Sequence, residues 1–207
     1  MNCDSIARAY RWLEYFGFGR ELERRRFRFL AEIVGSHQAL VLGEGDGRFL
    51  ARFREECPAK IDCVDISRGM LRLAYQRAGE DRIRHIHSDA RTLALPRAGY
   101  DLVVTHFFLD CFNVDDLERV VKRIAVAAVP EAKWLVSEFR QPQYGWRAAW
   151  AWLWLRGLYC FFGLTTGLRT RRLTDHHPLL AQNGFRIERQ ETSWFGLLAS
   201  ELWRHDL

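Results

Sequence analysis

Apolar residues follow two different rhythms along this chain of 207 residues. From Ile6 to Val34 they recur at helical spacing: Ile6, Tyr10, Leu13 and Phe16, then Leu22, Phe29, Leu30 and Ile33. Gly17-Phe18-Gly19 interrupts that run, so the spacing predicts two helices joined by a glycine hinge. After His37 the rhythm changes. Leu40-Val41-Leu42 reads as a short buried strand that runs straight into Gly43-Glu44-Gly45-Asp46-Gly47. Residues 49–57 read as a helix stopped by Pro58, 60–65 as a second strand, and 68–78 as a helix with Ser67 as its N-cap. Further strands are expected over 83–87, 100–106 and 133–139, with a helix over 115–128. "YDLVVTH" at 100–106 has the continuous apolar centre of a strand covered on both faces. After an aromatic-rich stretch, 175–183 reads as a helix ended by Gly184, and 185–190 with 193–203 as a closing antiparallel pair. Strands alternating with helices make one doubly wound α/β sheet.

Composition narrows the chemistry. The net charge of +5 comes almost wholly from arginine, because Lys60, Lys122 and Lys133 are the lysines of the chain. Acids are interspersed among the arginines, as in "RRRFR" after Glu21 and Glu23, so a solvated surface outweighs a nucleic-acid patch. Five scattered cysteines without a Cys-x-x-Cys pair argue against a disulfide framework and a structural zinc site, and no metal is expected. They suit a reducing cytoplasm. The opening Met1-Asn2-Cys3-Asp4-Ser5 is not the start of a secretory leader.

A strand, a glycine loop and a helix in that order form a place where a ligand can lie against bare backbone. "GEGDG" lacks the Gly-Lys-Ser/Thr of a phosphate loop, and Arg48 stands where the dinucleotide motif expects its third glycine. Glu44 and Asp46 would repel a pyrophosphate but suit a ligand carrying positive charge, such as S-adenosylmethionine with its sulfonium and ammonium groups. Asp65, at the end of the second strand, is placed to accept ribose hydroxyl protons. Together, "VLGEGDGRF", "VDISRGML", "SDA" and "YDLVVTHFFLDCF" resemble the class I S-adenosylmethionine-dependent methyltransferases over residues 39–140, and more loosely from Leu173 onward.

That resemblance implies a Rossmann-like seven-stranded sheet with its last strand antiparallel, carrying an N-terminal helical cap (1–36), a cofactor-binding core (37–140), an aromatic helical insertion (141–173) and a closing unit (174–207). It implies that Gly43, Glu44, Gly45, Asp46 and Gly47 form the cofactor loop. Asp65 is the ribose ligand, Ile66 and Met70 the adenine walls, and Asp89 with Ala90 the adenine edge; Thr105, His106 and Phe107 lie beside the methionine moiety. Two positions depart from the pattern. Val41 stands where an acid often precedes the first glycine, and Asp46 where a small polar residue is commoner.

Methyl transfer needs alignment and exclusion of water more than it needs a base. His106 and Asp110 are the candidate proton acceptors, each with the alternative of a packing or capping role. No Asn-Pro-Pro-Tyr or Asp-Pro-Pro-Tyr follows the fourth strand, which lowers the RNA-methylase reading. Trp146, Trp150, Trp154, Leu158 and Phe162 recur every four residues and would share one side of a helix, flanked by arginines. The apolar core within 144–168, about 17 residues broken by Arg156 and Gly157, falls short of the roughly 20 needed to span a bilayer. Three readings stay open for it: a lid over an apolar pocket, an interfacial helix making peripheral membrane contact, or core. With Tyr10 and Tyr15 of the N-terminal cap, Trp146 and Trp150 are the candidate substrate contacts. The favoured partner is a small lipophilic or aromatic acceptor, in the neighbourhood of quinone C-methyltransferases. A non-catalytic binding protein on the same fold is the alternative.

Overall fold

The computed structural model describes residues 18–140 and 174–206. Within them, seven strands form one sheet in the order β3-β2-β1-β4-β5-β7-β6. The strands are β1 (Gln38–Leu42), β2 (Lys60–Asp65), β3 (Ile83–His87), β4 (Tyr100–His106), β5 (Ala128–Phe139), β6 (Phe185–Ser193) and β7 (Leu198–His205). The first five run parallel, and β7 is antiparallel to both of its neighbours, β5 and β6. From β1 the chain proceeds outward to β2 and β3, then returns to pair β4 against the other edge of β1. Helices α1 (Glu21–Arg26), α2 (Arg48–Glu56), α3 (Arg68–Ala78), α4 (Val114–Ala127) and α5 (His177–Gln182) accompany the sheet. The reversal between β1 and β4 opens a crevice at the carboxyl ends of these strands, where an open α/β sheet binds its ligands.

The strand β1 explains why its sequence shows no polar alternation. Ala39 and Val41 belong to a core with Phe49, Phe53, Leu71 and Ala74 of α2 and α3. Leu40 and Leu42 point the other way, into a core with Leu117, Val120, Val121 and Ile124 of α4. Side chains alternate along a strand, and here both faces are dry, so every position is apolar. The four α4 residues recur at the spacing of one helix face. Each is buried, which stabilises by about 1.5–3 kcal/mol per side chain.

Local signals act as their chemistry requires. The Ser67 side chain accepts the Met70 N–H at 3.1 Å and starts α3, and Asn113 does the same for Asp116 at 2.9 Å to start α4. Gly184, just past α5, has φ +82°.

Elsewhere the architecture differs from the pattern. The helix expected over 20–34 is only α1, followed by a single tight turn at Leu30–Glu32. Phe29, Leu30 and Ile33 are nonetheless buried, because backbone bonds such as Leu30 N–H to Phe27 O turn the chain so that all three reach the core without a regular helix. The strand β5 begins at Ala128, directly after α4, with an irregularity opposite Tyr100/Leu102. The first expected helix, before Gly17, and the aromatic insertion lie outside the described residues.

Candidate active site

The crevice is built from three chain ends: the glycine loop after β1, the turn after β2, and the loop after β4. Gly43, Gly45 and Gly47 have φ of +64°, +75° and +82°, a region that side chains rarely adopt. Two of them also admit close neighbours. A Cβ on Gly43 would lie 2.2 Å from the Phe108 ring, and one on Gly47 would lie 2.5 Å from the Ala74 Cα. The glycines therefore serve a left-handed backbone, the packing of α3 and the approach of the β4 loop together.

The acids between them turn toward the protein. Glu44 is buried, and its Oε1 accepts the N–H groups of Phe49 and Leu50 at 3.0 and 3.2 Å, at the positive end of α2. Its Oε2 is buried with no hydrogen-bond partner among the described residues. Burial pushes the carboxyl up to about 7, against the pull of nearby Arg26. Asp46 is held by Arg48 and Arg77 at 2.9 and 2.8 Å. Burial alone would raise its pKa, but the two guanidiniums bring it below the ordinary carboxylate value. Cation-binding by these acids, the expectation from sequence, is thus met at Asp46 by arginines of the chain itself, and Glu44 is a helix cap.

At the end of β2, Asp65 Oδ1 accepts the Ser67 N–H at 2.7 Å. Half-buried Ile66 follows it, its carbonyl accepting from His87 Nε2 at 3.0 Å. Met70 sits on the inner side of α3, buried at 2% exposure, so in this structure it is core rather than a wall of the crevice. After β3, Asp89 and Ala90 are half-buried, and Arg91 engages both oxygens of Asp89 at 2.6 to 3.0 Å while also reaching Asp116. That pairing holds the Asp89 carboxyl below its ordinary value.

The end of β4 is buried more deeply than its motif implies. Thr105 is fully buried and accepts from Trp134 Nε1 at 3.0 Å, inside the sheet rather than at its mouth. His106 is buried on the α2 side, its ring edge-on to Phe49 at 4.6 Å. Ser137 Oγ donates to Arg25 O at 3.0 Å, so it can take a proton only from His106 Nδ1, 3.0 Å away. This assigns the tautomer: Nδ1 carries the hydrogen and the buried Nε2 keeps a bare lone pair, with no hydrogen-bond partner among the described residues. Burial first, and Arg26 second, hold the imidazole neutral, well below its usual pKa. Phe107 follows with φ +52°, packs on Phe139 at 5.1 Å and lies under the Arg26 guanidinium at 5.4 Å.

The loop beyond it rests on a residue the sequence did not single out. Glu138 of β5, buried, accepts the N–H groups of Phe108 and Leu109 through Oε1 at 2.9 and 2.7 Å. Burial and neighbouring Asp110 push its pKa well above the ordinary range. Asp110, itself buried, also accepts from Cys111 Sγ at 3.6 Å. Glu138 therefore keeps its proton beside the Asp110 carboxyl.

Residues 39–131 match the model of a methyltransferase domain family. An uncharacterized methyltransferase of Mycobacterium tuberculosis is 32% identical over 109 residues, 53% of this chain and 54% of that protein. A demethylmenaquinone methyltransferase of Chlamydia pneumoniae is 30% identical over 118 residues, 56% of this chain and 50% of that protein. Over residues 39–131 the chain is similar to methyltransferase domains, and its fold is that of S-adenosylmethionine-dependent methyltransferases. It spans about half the length of the curated relatives it matches. Among solved structures, the methyltransferase fold is shared with the N-methyltransferase NodS of Bradyrhizobium japonicum, bound to S-adenosyl-L-homocysteine, with TM-score 0.68 over 90% of this chain and 89% of that one at 12% identity.

Within this methyltransferase fold, the glycine loop, Asp65, Ile66, Asp89 and Ala90 lie at or just after the carboxyl ends of β1, β2 and β3, while Met70 and Thr105 are buried in the core. Tyr10, Tyr15, Trp146 and Trp150 lie outside the described residues. Among those described, no helix is long and apolar enough to cross a membrane.

Proposed function

We propose that the chain transfers the methyl group of S-adenosylmethionine to a small lipophilic or aromatic acceptor. The observation that carries the reading is the left-handed glycine loop at the β1/β4 switch point, beside a carboxylate at the end of β2. The fit of the cofactor is supported by the left-handed loop backbone of Gly43, Gly45 and Gly47, by Asp65 for the ribose hydroxyls, and by half-buried Ile66, Asp89 and Ala90 for the adenine. When bound, the cofactor supplies a methyl made electrophilic by its sulfonium.

The protein's own contribution is positional. Phe108, set by the Glu138 hydrogen bond to its N–H, lies against Gly43 as an apolar wall that excludes water from the transfer. Asp110, buried beside protonated Glu138, is assigned as proton acceptor for a hydroxyl or an activated carbon. His106, neutral and enclosed by Phe49 and Ser137, positions the end of β4. A lipophilic acceptor is favoured by the likeness to the chlamydial demethylmenaquinone methyltransferase and by the aromatic residues of 144–168.

Calorimetric titration with S-adenosylmethionine and S-adenosylhomocysteine tests the reading. Wild type binds both saturably, and Asp65→Ala weakens binding by roughly 1–3 kcal/mol, the cost of leaving ribose hydroxyls unpaired. Absence of binding by the wild type overturns the proposal. Transfer of labelled methyl to a quinol but not to a phenol-free apolar control then fixes the acceptor class.

A further inference from the structure

Beyond the Asp110/Glu138 pair stands a cluster that methyl transfer does not use. Glu201 of β7 is 1% exposed, paired in register with Val136 on one side and Gln190 on the other. His176 Nε2 lies 2.9 Å from its Oε2 and His177 Nε2 lies 2.8 Å from its Oε1. We propose that His176, His177 and Glu201 bind a divalent transition-metal ion.

The donor set is two imidazoles and one carboxylate, which suits zinc, cobalt, iron or manganese and leaves coordination positions open for water or another oxygen ligand. The three donor atoms lie within 4.8 Å of one another. Tetrahedral ligands about 2.1 Å from one ion are about 3.4 Å apart, so a closing of up to roughly 1.4 Å between the donors brings them into reach. Neutral imidazoles donating through Nε2 become ligands by moving that proton to Nδ1, with no change in net protonation.

The surroundings hold the carboxylate in place without occupying the imidazole side. Gln190 Nε2 donates to Oε1 at 2.7 Å, and Trp203 Nε1 donates to Oε2 at 2.9 Å. Both are the outer hydrogen bonds that orient a metal-binding carboxylate. The rings are packed as well: His176 and His177 are 4.8 Å apart, and the Trp203 ring meets His177 at 5.2 Å. Asp175 Oδ1 accepts the His177 N–H at 3.0 Å and fixes that turn. His177 keeps a third of its side chain exposed, which supplies the entry path.

The test uses the full chain, stripped with a chelator and titrated with Co²⁺ by visible absorption and with Zn²⁺ by calorimetry. One equivalent per chain is expected, with a cobalt spectrum of low, tetrahedral-like coordination. Glu201→Gln and His177→Asn are expected to lower affinity on the order of a hundredfold, and Gln190→Ala about tenfold. His177→Gln, whose amide Nε2 reaches about where the imidazole Nε2 lay, can still donate to Glu201, so this further variant keeps the hydrogen-bonded strut and loses the imidazole ligand. Circular dichroism and S-adenosylhomocysteine binding on the same samples verify folding. No saturable uptake by the wild type, or uptake that His177→Asn leaves unchanged, overturns the site and makes the cluster a hydrogen-bonded strut. Retained S-adenosylhomocysteine binding in that case leaves the methyl-transfer reading untouched.

Discussion

Glu44→Gln isolates the cost of placing a carboxyl inside the glycine loop. Folding raises the pKa of this group from 4.5 to about 7, which at about 1.4 kcal/mol per tenfold change in proton affinity is worth about 3 kcal/mol. The sign follows from linkage: a group whose pKa is raised in the folded state contributes fully below its unfolded value, and that contribution is lost as pH rises through its folded value. The wild type is therefore expected to lose about 3 kcal/mol from this residue between pH 4.5 and pH 8. Glutamine keeps an Oε1 for the Phe49 and Leu50 N–H groups and carries no titratable proton. Urea unfolding of both proteins without ligand, at four values from pH 5 to pH 8, reads the difference as the change in midpoint at constant slope. The variant should gain on the wild type steadily across that range and be close to it at the acid end. A difference that stays flat with pH would show that Glu44 is not held neutral by burial, and the account of the loop would be wrong.

Other substitutions probe neighbouring claims. Gly47→Ala places a side chain at φ +82° against the Ala74 backbone. The conformation alone costs about 1–2 kcal/mol, so a fall in Tm of at least about 2 °C is expected by calorimetry; an unchanged Tm refutes the close approach of loop and α3. Glu138→Gln should fold and bind S-adenosylhomocysteine much as wild type does at pH 7. Glu138→Ala, which leaves the Phe108 and Leu109 N–H groups without an acceptor, should lose about 1–3 kcal/mol by urea titration; equal stability of the two variants would contradict the capping role. Asp46→Asn should destabilise at pH 7, and that loss should vanish as pH falls below 3.8, because the carboxylate's advantage exists above its unfolded pKa and fades in acid. Acid titration of the two proteins by circular dichroism would show converging curves, and parallel curves would exclude the ion pairs with Arg48 and Arg77.

Much of the sheet was legible because its signals are local. β1 and β4 carry uninterrupted apolar runs since helices cover both faces, and Ser67 and Gly184 mark helix ends through bonds and dihedrals within a few residues. The family resemblance follows from four motifs in order, each at the carboxyl end of a strand. What escaped depends on partners remote in sequence. Nothing near Asp46 tells that it meets Arg77, 31 residues away, and Glu44 caps α2 five and six residues on only because the glycine loop folds it inward. Glu138 sits in an apolar run, where an acid is a warning of a buried role, but its targets lie 29 and 30 residues earlier. His176 and His177 meet Glu201 only because β7 pairs between β5 and β6. The broken helix after Arg26 was hidden for the converse reason, since its apolar spacing is satisfied by irregular turns as well as by a helix.

The position of β7 has a consequence for how the chain matures during synthesis. β6 emerges from the ribosome before β7, yet it touches no strand of the sheet except β7. Until residues 198–205 are available, β5 presents an open hydrogen-bonding edge and β6 has nothing to join. The parallel half can assemble early, while the antiparallel half closes in one late event that shields β5 and recruits β6 together. A ribosome stalled between the two strands would hold a nascent chain with a raw sheet edge, a substrate for chaperones or for cross-strand pairing with another chain.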